Sequence, residues 1–174
     1  MPKLIEKLEE KILTAARKRL TEDSLSGFSL RAVAADCGIA VGTVYNYYKD
    51  KEALMAAAMA SDWAMELKQV RTSIMEVGSF QEGVLCIYRE ICCFSDTYEH
   101  IWQSYKPNAG FATLYHRRHM MLVDQIHSEI DFLAERFPAE ISGPARTLLA
   151  ELIIAASRHR EVGEEDILRF VSDF

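Results

Sequence analysis

Residues Ser29 to Leu54 read SLRAVAADCGIAVGTVYNYYKDKEAL, and this stretch decides the fold of the chain around it. Leu30, Val33, Ala34 and Cys37 recur three or four residues apart, the spacing that puts side chains on one face of a helix. Ser29 stands just before them, where a hydroxyl can accept a hydrogen bond from a first-turn N–H that has no partner in the helix. Gly38 follows the last apolar position and supplies the left-handed backbone that lets the chain reverse in about three or four residues, with Ile39 plugging the corner. A second helical segment, Val41 to Tyr48, sets Val44 and Tyr48 on one face at i, i+4. Val41, Gly42, Thr43, Asn46 and Tyr47 project elsewhere, and packing has no need of them.

Those groups suit a nucleic-acid surface. Thr43 offers a hydroxyl to phosphate and a methyl to thymine, Asn46 matches an adenine edge, and Gly42 allows close approach to the DNA backbone. Tyr45 and Tyr47 carry hydroxyls that can reach phosphates, and Lys51 adds a point charge at the start of the next helical pattern. Ser29 and Arg31, at the start of the first helix, complete the set: Val41, Thr43 and Asn46 toward bases, Ser29, Tyr45, Tyr47 and Lys51 toward phosphates. A plain helical hairpin inside an all-helical core would explain Val44 and Tyr48. It leaves Gly42, Thr43 and Asn46 without a role.

The pattern V-A-x-x-C-G-I-x-x-G-T-V-Y-x-Y-Y-x-x-K-E-x-L over Val33 to Leu54 resembles the DNA-binding motif of the TetR family of bacterial transcriptional regulators, and Gly27-Phe28 upstream also fits. The resemblance implies an N-terminal three-helix helix-turn-helix domain, residues 1–52. A helical effector-binding and dimerisation domain would follow, residues 53–174. It further implies a homodimer on a palindromic operator, most often as a repressor, released by a small-molecule effector. One departure is Ala40, where the family usually has Ser or Thr to cap the recognition helix and touch phosphate. Losing such a cap costs about 1 kcal/mol, so either affinity is lower or another group replaces it. An alternative keeps the fold and loses the switch: a coregulator that binds another protein and has weak or no independent DNA affinity.

Composition agrees with a globular chain. The 174 residues are 49% hydrophobic and 26% charged, enough for one sizeable core or two small ones. No apolar run approaches the roughly 20 residues of a membrane-spanning helix, and Met1-Pro2-Lys3 leads into charges instead of a signal-peptide core, so a cytoplasmic location is expected. Net charge is −6, but the first 52 residues hold 9 Lys+Arg against 8 Asp+Glu and the rest 11 against 18. The acidity therefore lies away from the DNA-facing segment, and local phosphate contacts, not a broad positive field, have to carry binding.

Outside the motif the chain reads as all-α, about nine helices, with no strand-period segment or repeat. Leu4 to Leu20 carries a one-sided apolar stripe; Lys51 to about Ile74 runs helical without Gly or Pro. The resemblance gives that helix the task of transmitting changes to the spacing of the recognition helices. Further helices are expected at 80–94, 96–105, 108–137, 142–159 and 164–174.

Phe94, Tyr98, Trp102, Tyr105, Phe111 and Tyr115 concentrate aromatic surface with polar tips, and are candidates for lining an effector pocket. Leu148, Leu149, Leu152, Ile153 and Ala156 with Ile167, Phe170 and Val171 are candidates for a four-helix bundle across a dimer axis. His116, His119 and His127 lack the further ligands a metal needs, and Arg117 and Arg118 between them would repel a cation. Cys37, Cys86, Cys92 and Cys93 have no CxxC spacing, and Cys92-Cys93 reads as buried small hydrophobes in a reducing compartment. No catalytic constellation stands at readable spacing, so neither enzyme activity nor a cofactor is expected.

Overall fold

The computed structural model describes residues 2–22, 27–104, 109–137, 139–159, 161–172 and 174; side chains are described for these except 2–6, 100, 102–104 and 109–118. Eight helices and no strand appear among the described residues: α1 Pro2–Glu22, α2 Leu30–Cys37, α3 Val41–Tyr45, α4 Lys51–Ile74, α5 Phe80–Ser104, α6 Ala109–Arg136, α7 Gly143–Ala156 and α8 Glu164–Val171. None is long and apolar enough to cross a membrane.

Two expected boundaries move. The helices expected at 80–94 and 96–105 are one, α5. No Gly or Pro interrupts 84–104, and the Ser95 hydroxyl lies 3.0 Å from that of Ser157. α3 is shorter than Val41 to Tyr48 because the Tyr47 N–H bonds the Val44 carbonyl at 3.0 Å, an i to i+3 bond that tightens the last turn.

The chain forms two compact units, Met1–Met65 with Thr97–Lys106, and Glu66–Asp96 with Pro107–Phe174. The first is larger than the 1–52 expected from the motif, since it takes most of α4 and the end of α5. Its core is built as the periodicity required: Ile12, Ala16 and Leu20 from α1, Phe28, Leu30, Val33, Ala34 and Cys37 around α2, Val44 from α3, and Leu54, Met55 and Ala58 from α4. Trp63, Tyr98 and Ile101 are also buried in this unit.

In the second unit α6 packs on α7. Ile126, Ile130 and Leu133 of α6 and Leu149, Ile153 and Ile154 of α7 are all buried, as are Val84, Ile87 and Ile91 of α5. Ser79 opens α5 by accepting from the Glu82 N–H, while the Glu82 carboxylate accepts from the Gly78 N–H at 2.8 Å. Arg71 lies 2.9 Å from buried Glu129 and stacks over the Phe132 ring, tying α4 to α6. On α8, the Asp166 carboxylate accepts from the Gly163 N–H, and Arg89 of α5 pairs with Glu164. That guanidinium holds the Glu164 carboxyl below the usual carboxylate range.

Candidate nucleic-acid interface

The helix-turn-helix is fixed by hydrogen bonds at each end of each short element. Ser29 adopts an extended backbone and its hydroxyl accepts from the Ala32 N–H at 3.1 Å, which opens α2. Gly38 closes α2 with φ 64, and the Gly38 and Ile39 N–H groups return to Ala35 and Ala34 at 3.0 Å each. The Lys11 ammonium donates to the Cys37 carbonyl at 2.9 Å, satisfying an end-of-helix acceptor from α1. Arg19 grips the Asp36 carboxylate with two nitrogens and holds its pKa below the ordinary value. Asp50 opens α4 by accepting from the Ala53 N–H at 2.7 Å.

α3 is anchored by its inward side. Val44 is fully buried, and Tyr48 is buried with its hydroxyl donating to Glu9 at 3.1 Å. Burial first, and then the Glu9 charge, push the Tyr48 phenol well above its usual range, so it remains a donor. Gly42, Tyr45 and Asn46 are exposed, with Tyr45 at 55%, while Val41, Thr43 and Tyr47 are half-buried. Arg31 is exposed on α2 and Ser29 half-buried at its start. Lys51 is half-buried with its ammonium 5.7 Å from the Phe28 ring centroid, an orientation that burial of its stem explains. Ala40 has the extended backbone of a capping residue and no side-chain hydrogen bond to α3, so the departure from the family pattern is not repaired by its own side chain.

The other expected site residues scatter. Phe94 is half-buried in the second unit, whereas Tyr98 is fully buried in the first, its hydroxyl donating to Asp62 at 2.7 Å. Tyr98 is thus part of the core of the helix-turn-helix unit. Trp102, Tyr105, Phe111 and Tyr115 lie outside the residues whose side chains are described, as do His116, Arg117 and Arg118. Of the expected dimer residues, Leu149, Ile153, Ala156, Ile167 and Val171 are buried within their own chain, because α7 and α8 turn those faces onto the core. Leu148 and Phe170 are exposed and Leu152 half-buried, and Leu168 joins the exposed set.

His119 meets Glu151 at 2.8 Å and His127 meets Asp131 at 3.3 Å; among the described residues no three His, Cys, Asp or Glu side chains gather to hold a metal. None of the four cysteines is in a disulfide. Cys37 is buried, Cys86 and Cys92 half-buried, and burial raises all three thiols. Cys93 is exposed, which corrects the reading of Cys92-Cys93 as a buried pair: adjacent residues on a helix point about 100° apart.

Sequence reasoning missed one polar cluster in the first unit. Asp62 receives the Tyr98 hydroxyl on one oxygen and an Arg17 nitrogen, at 2.7 Å, on the other. A lone acid in the apolar run of α4, beside Trp63, was the available clue.

Residues 12–58 match the family model described as bacterial regulatory proteins, tetR family. Residues 12–58 are therefore similar to the DNA-binding part of that family. A curated relative, the HTH-type transcriptional regulator UidR of Escherichia coli strain K12, is 34% identical over 64 residues, 37% of this chain and 33% of UidR. The match therefore spans about a third of the relative's length. Solved structures extend the likeness in fold to nearly the whole chain. The fatty acid degradation regulator FadR from Bacillus halodurans superposes with TM-score 0.63 at 13% identity, covering 94% of this chain and 91% of that one. The transcriptional regulator FadR from Bacillus subtilis, in complex with stearoyl-CoA, gives TM-score 0.57 at 14% identity, covering 95% and 98%.

Proposed function

We propose that this chain is a transcriptional repressor that binds a palindromic operator as a homodimer and leaves it when a small apolar or amphiphilic molecule binds the second unit. The observation that carries the reading is the outward side of α3: Gly42, Tyr45 and Asn46 stand exposed on a helix whose opposite side is locked by Val44 and Tyr48. Val41, Thr43 and Asn46 face bases, and Ser29, Arg31, Tyr45, Tyr47 and Lys51 face phosphates, with Gly42 at the closest approach. Two-fold pairing is supported by Leu148, Leu168 and Phe170, which leave apolar surface exposed on α7 and α8. The effector class is supported by the stearoyl-CoA held by the Bacillus subtilis regulator of the same fold.

Selection of bound sequences from random duplex DNA tests the reading. It is expected to return a palindrome with half-sites about 34–36 Å apart or a multiple of that. A pool that enriches no sequence would remove it. A coregulator reading is favoured by the uncapped Ala40. It predicts negligible operator affinity alone and recovery when a partner protein is added.

A further inference from the structure

The first unit commits most of its positive charge to its own fold. On α1, the Lys11 ammonium donates to the Cys37 carbonyl at 2.9 Å, an Arg17 nitrogen donates to Asp62 at 2.7 Å, and Arg19 holds both Asp36 oxygens. Lys7 and Lys18 are exposed, but they share a groove between α1 and the end of α2 with Glu10, Glu22 and Asp36. Lys18 lies 3.9 Å from Glu22. Acids offset these cations where they stand, so the field of α1 offers a phosphate little attraction. Among the described side chains of this unit, the remaining cations are Arg31, Lys49 and Lys51.

The reading above gives Arg31 and Lys51 to phosphate and leaves Lys49 out. Tyr48 turns inward, buried with its hydroxyl on Glu9, while Lys49 directly after it is 85% exposed along its side chain. It comes two residues after Tyr47 and two before Lys51, between two side chains already assigned to phosphate. The Asp50 carboxylate is 3.7 Å from its ammonium, longer than a hydrogen bond. That carboxylate is engaged elsewhere: its other oxygen accepts from the Ala53 N–H at 2.7 Å and opens α4. An exposed pair of this kind is worth little, so the ammonium can turn to a stronger negative charge at small cost.

We propose that Lys49 is a phosphate contact, and that it stands with Arg31 and Lys51 as the cations each protomer brings to DNA, while the exposed cations of α1 bring none. This deepens the regulator reading above and rests on it. A cationic set this small makes the salt dependence of binding shallow. Hydrogen bonds and base contacts then carry a larger share of the affinity, which keeps binding to DNA outside the operator weak.

The test measures affinity for a duplex recovered by the selection above, and for a scrambled duplex of equal length, between about 50 and 200 mM salt. Lys49→Ala weakens both duplexes alike and makes the slope of log affinity against log salt about 0.9 less steep for each half-site. A fourfold rise in salt therefore narrows its deficit about threefold for each half-site. Lys49→Arg keeps the charge and the wild-type slope. Lys7→Ala and Lys18→Ala also remove exposed charges and leave the slope as it is, which separates a contact from a general loss of positive charge. All three positions are exposed, so the variants keep the wild-type fold. A slope unchanged in Lys49→Ala, with or without a lowered melting temperature, overturns the proposal. So does a slope that Lys7→Ala or Lys18→Ala flattens as much as Lys49→Ala. A wild-type chain that binds neither duplex overturns the regulator reading and the proposal together, whereas a wild type that binds while Lys49→Ala keeps its slope overturns the proposal alone.

Discussion

The two units bury similar side chains and differ in what they leave outside. In the first, the outward residues of α2 and α3 are Arg31, Gly42, Tyr45 and Asn46, mostly polar and held on elements only eight and five residues long. In the second, the prominent outward residues of the long and terminal helices are apolar: Met120, Met121, Leu148, Leu168 and Phe170. A surface that must fit DNA constrains residue identity at each position, since hydrogen-bonding patterns on base edges are specific. A surface that must only be covered by another apolar surface constrains little beyond hydrophobicity.

The largest effect that can break this comparison lies in the second unit. Ile153→Ala empties a fully buried site on α7 and should cost about 2–5 kcal/mol, read by thermal or denaturant unfolding. Leu148→Asp, five residues earlier on the same helix and 66% exposed, should leave the protomer's own stability within about 0.5 kcal/mol while dissociating the proposed dimer in analytical ultracentrifugation. A dimer that survives Leu148→Asp and Phe170→Asp together would place the two-fold contact elsewhere.

The next effect is in the first unit. Asn46→Ala or Thr43→Ala is expected to lose about 1–3 kcal/mol of discrimination at particular base pairs and little at others. Lys51→Ala should weaken every duplex alike and lower the slope of log affinity against log salt by about one. Equal losses across all operator variants for both kinds of substitution would contradict the division into base and phosphate contacts.

The same contrast explains how far the sequence could be read. Ser29, Gly38, Val44 and Tyr48 were legible because each does a local task at a fixed spacing: cap, left-handed turn, inward anchor. The helix ends at Ile74 and Arg136 were nearly so, because few Gly or Pro residues interrupt them. The place of Tyr98 was not legible: it looks like any aromatic of α5, and only its full burial with its hydroxyl on Asp62 distinguishes it. The inward face of α7 was not legible, since helical periodicity cannot say which of its apolar stripes meets the chain's own core and which meets solvent. Asp62 was passed over because one acid in an apolar helix is usually a solvated residue on the outer face.

Two helical glycines sharpen the comparison further. A Cβ at Gly83 would lie 2.4 Å from a methyl carbon of Leu133, itself fully buried, so α5 and α6 approach closely there. Gly83→Ala should therefore cost about 1–2 kcal/mol, overpacking outweighing the gain in helix propensity. At Gly42 a Cβ would meet nothing within 4 Å. Gly42→Ala should leave folding intact and reduce operator affinity, because the added methyl stands where the DNA backbone approaches. Calorimetry on both variants and binding on the second separate a glycine kept for packing from one kept for a ligand. Unchanged binding by Gly42→Ala would move the DNA backbone away from the start of α3.

The smallest expected effect concerns Ala40. Its backbone, φ −66 and ψ 141, is already that of an N-cap, and the Thr43 N–H bonds the Ala40 carbonyl at 2.9 Å in place of a side-chain oxygen. Ala40→Ser introduces the missing acceptor without asking the chain to move, and should stabilise the protein by about 1 kcal/mol, some 2–4 °C in melting temperature for a chain of this size. α3 has only five residues, so a hydroxyl that accepts from even one of its first-turn N–H groups acts on a large part of the helix. Operator affinity should rise in the same variant, through a recognition helix held more firmly and a hydroxyl within reach of phosphate. A rise in melting temperature without a rise in affinity would mean that the turn at Gly38 and the anchors at Val44 and Tyr48 already fix α3 as well as DNA binding requires. The family's usual hydroxyl would then serve folding alone. A rise in affinity with no change in melting temperature would assign the hydroxyl to phosphate, and would make Ala40 a residue that sets weak binding in this chain.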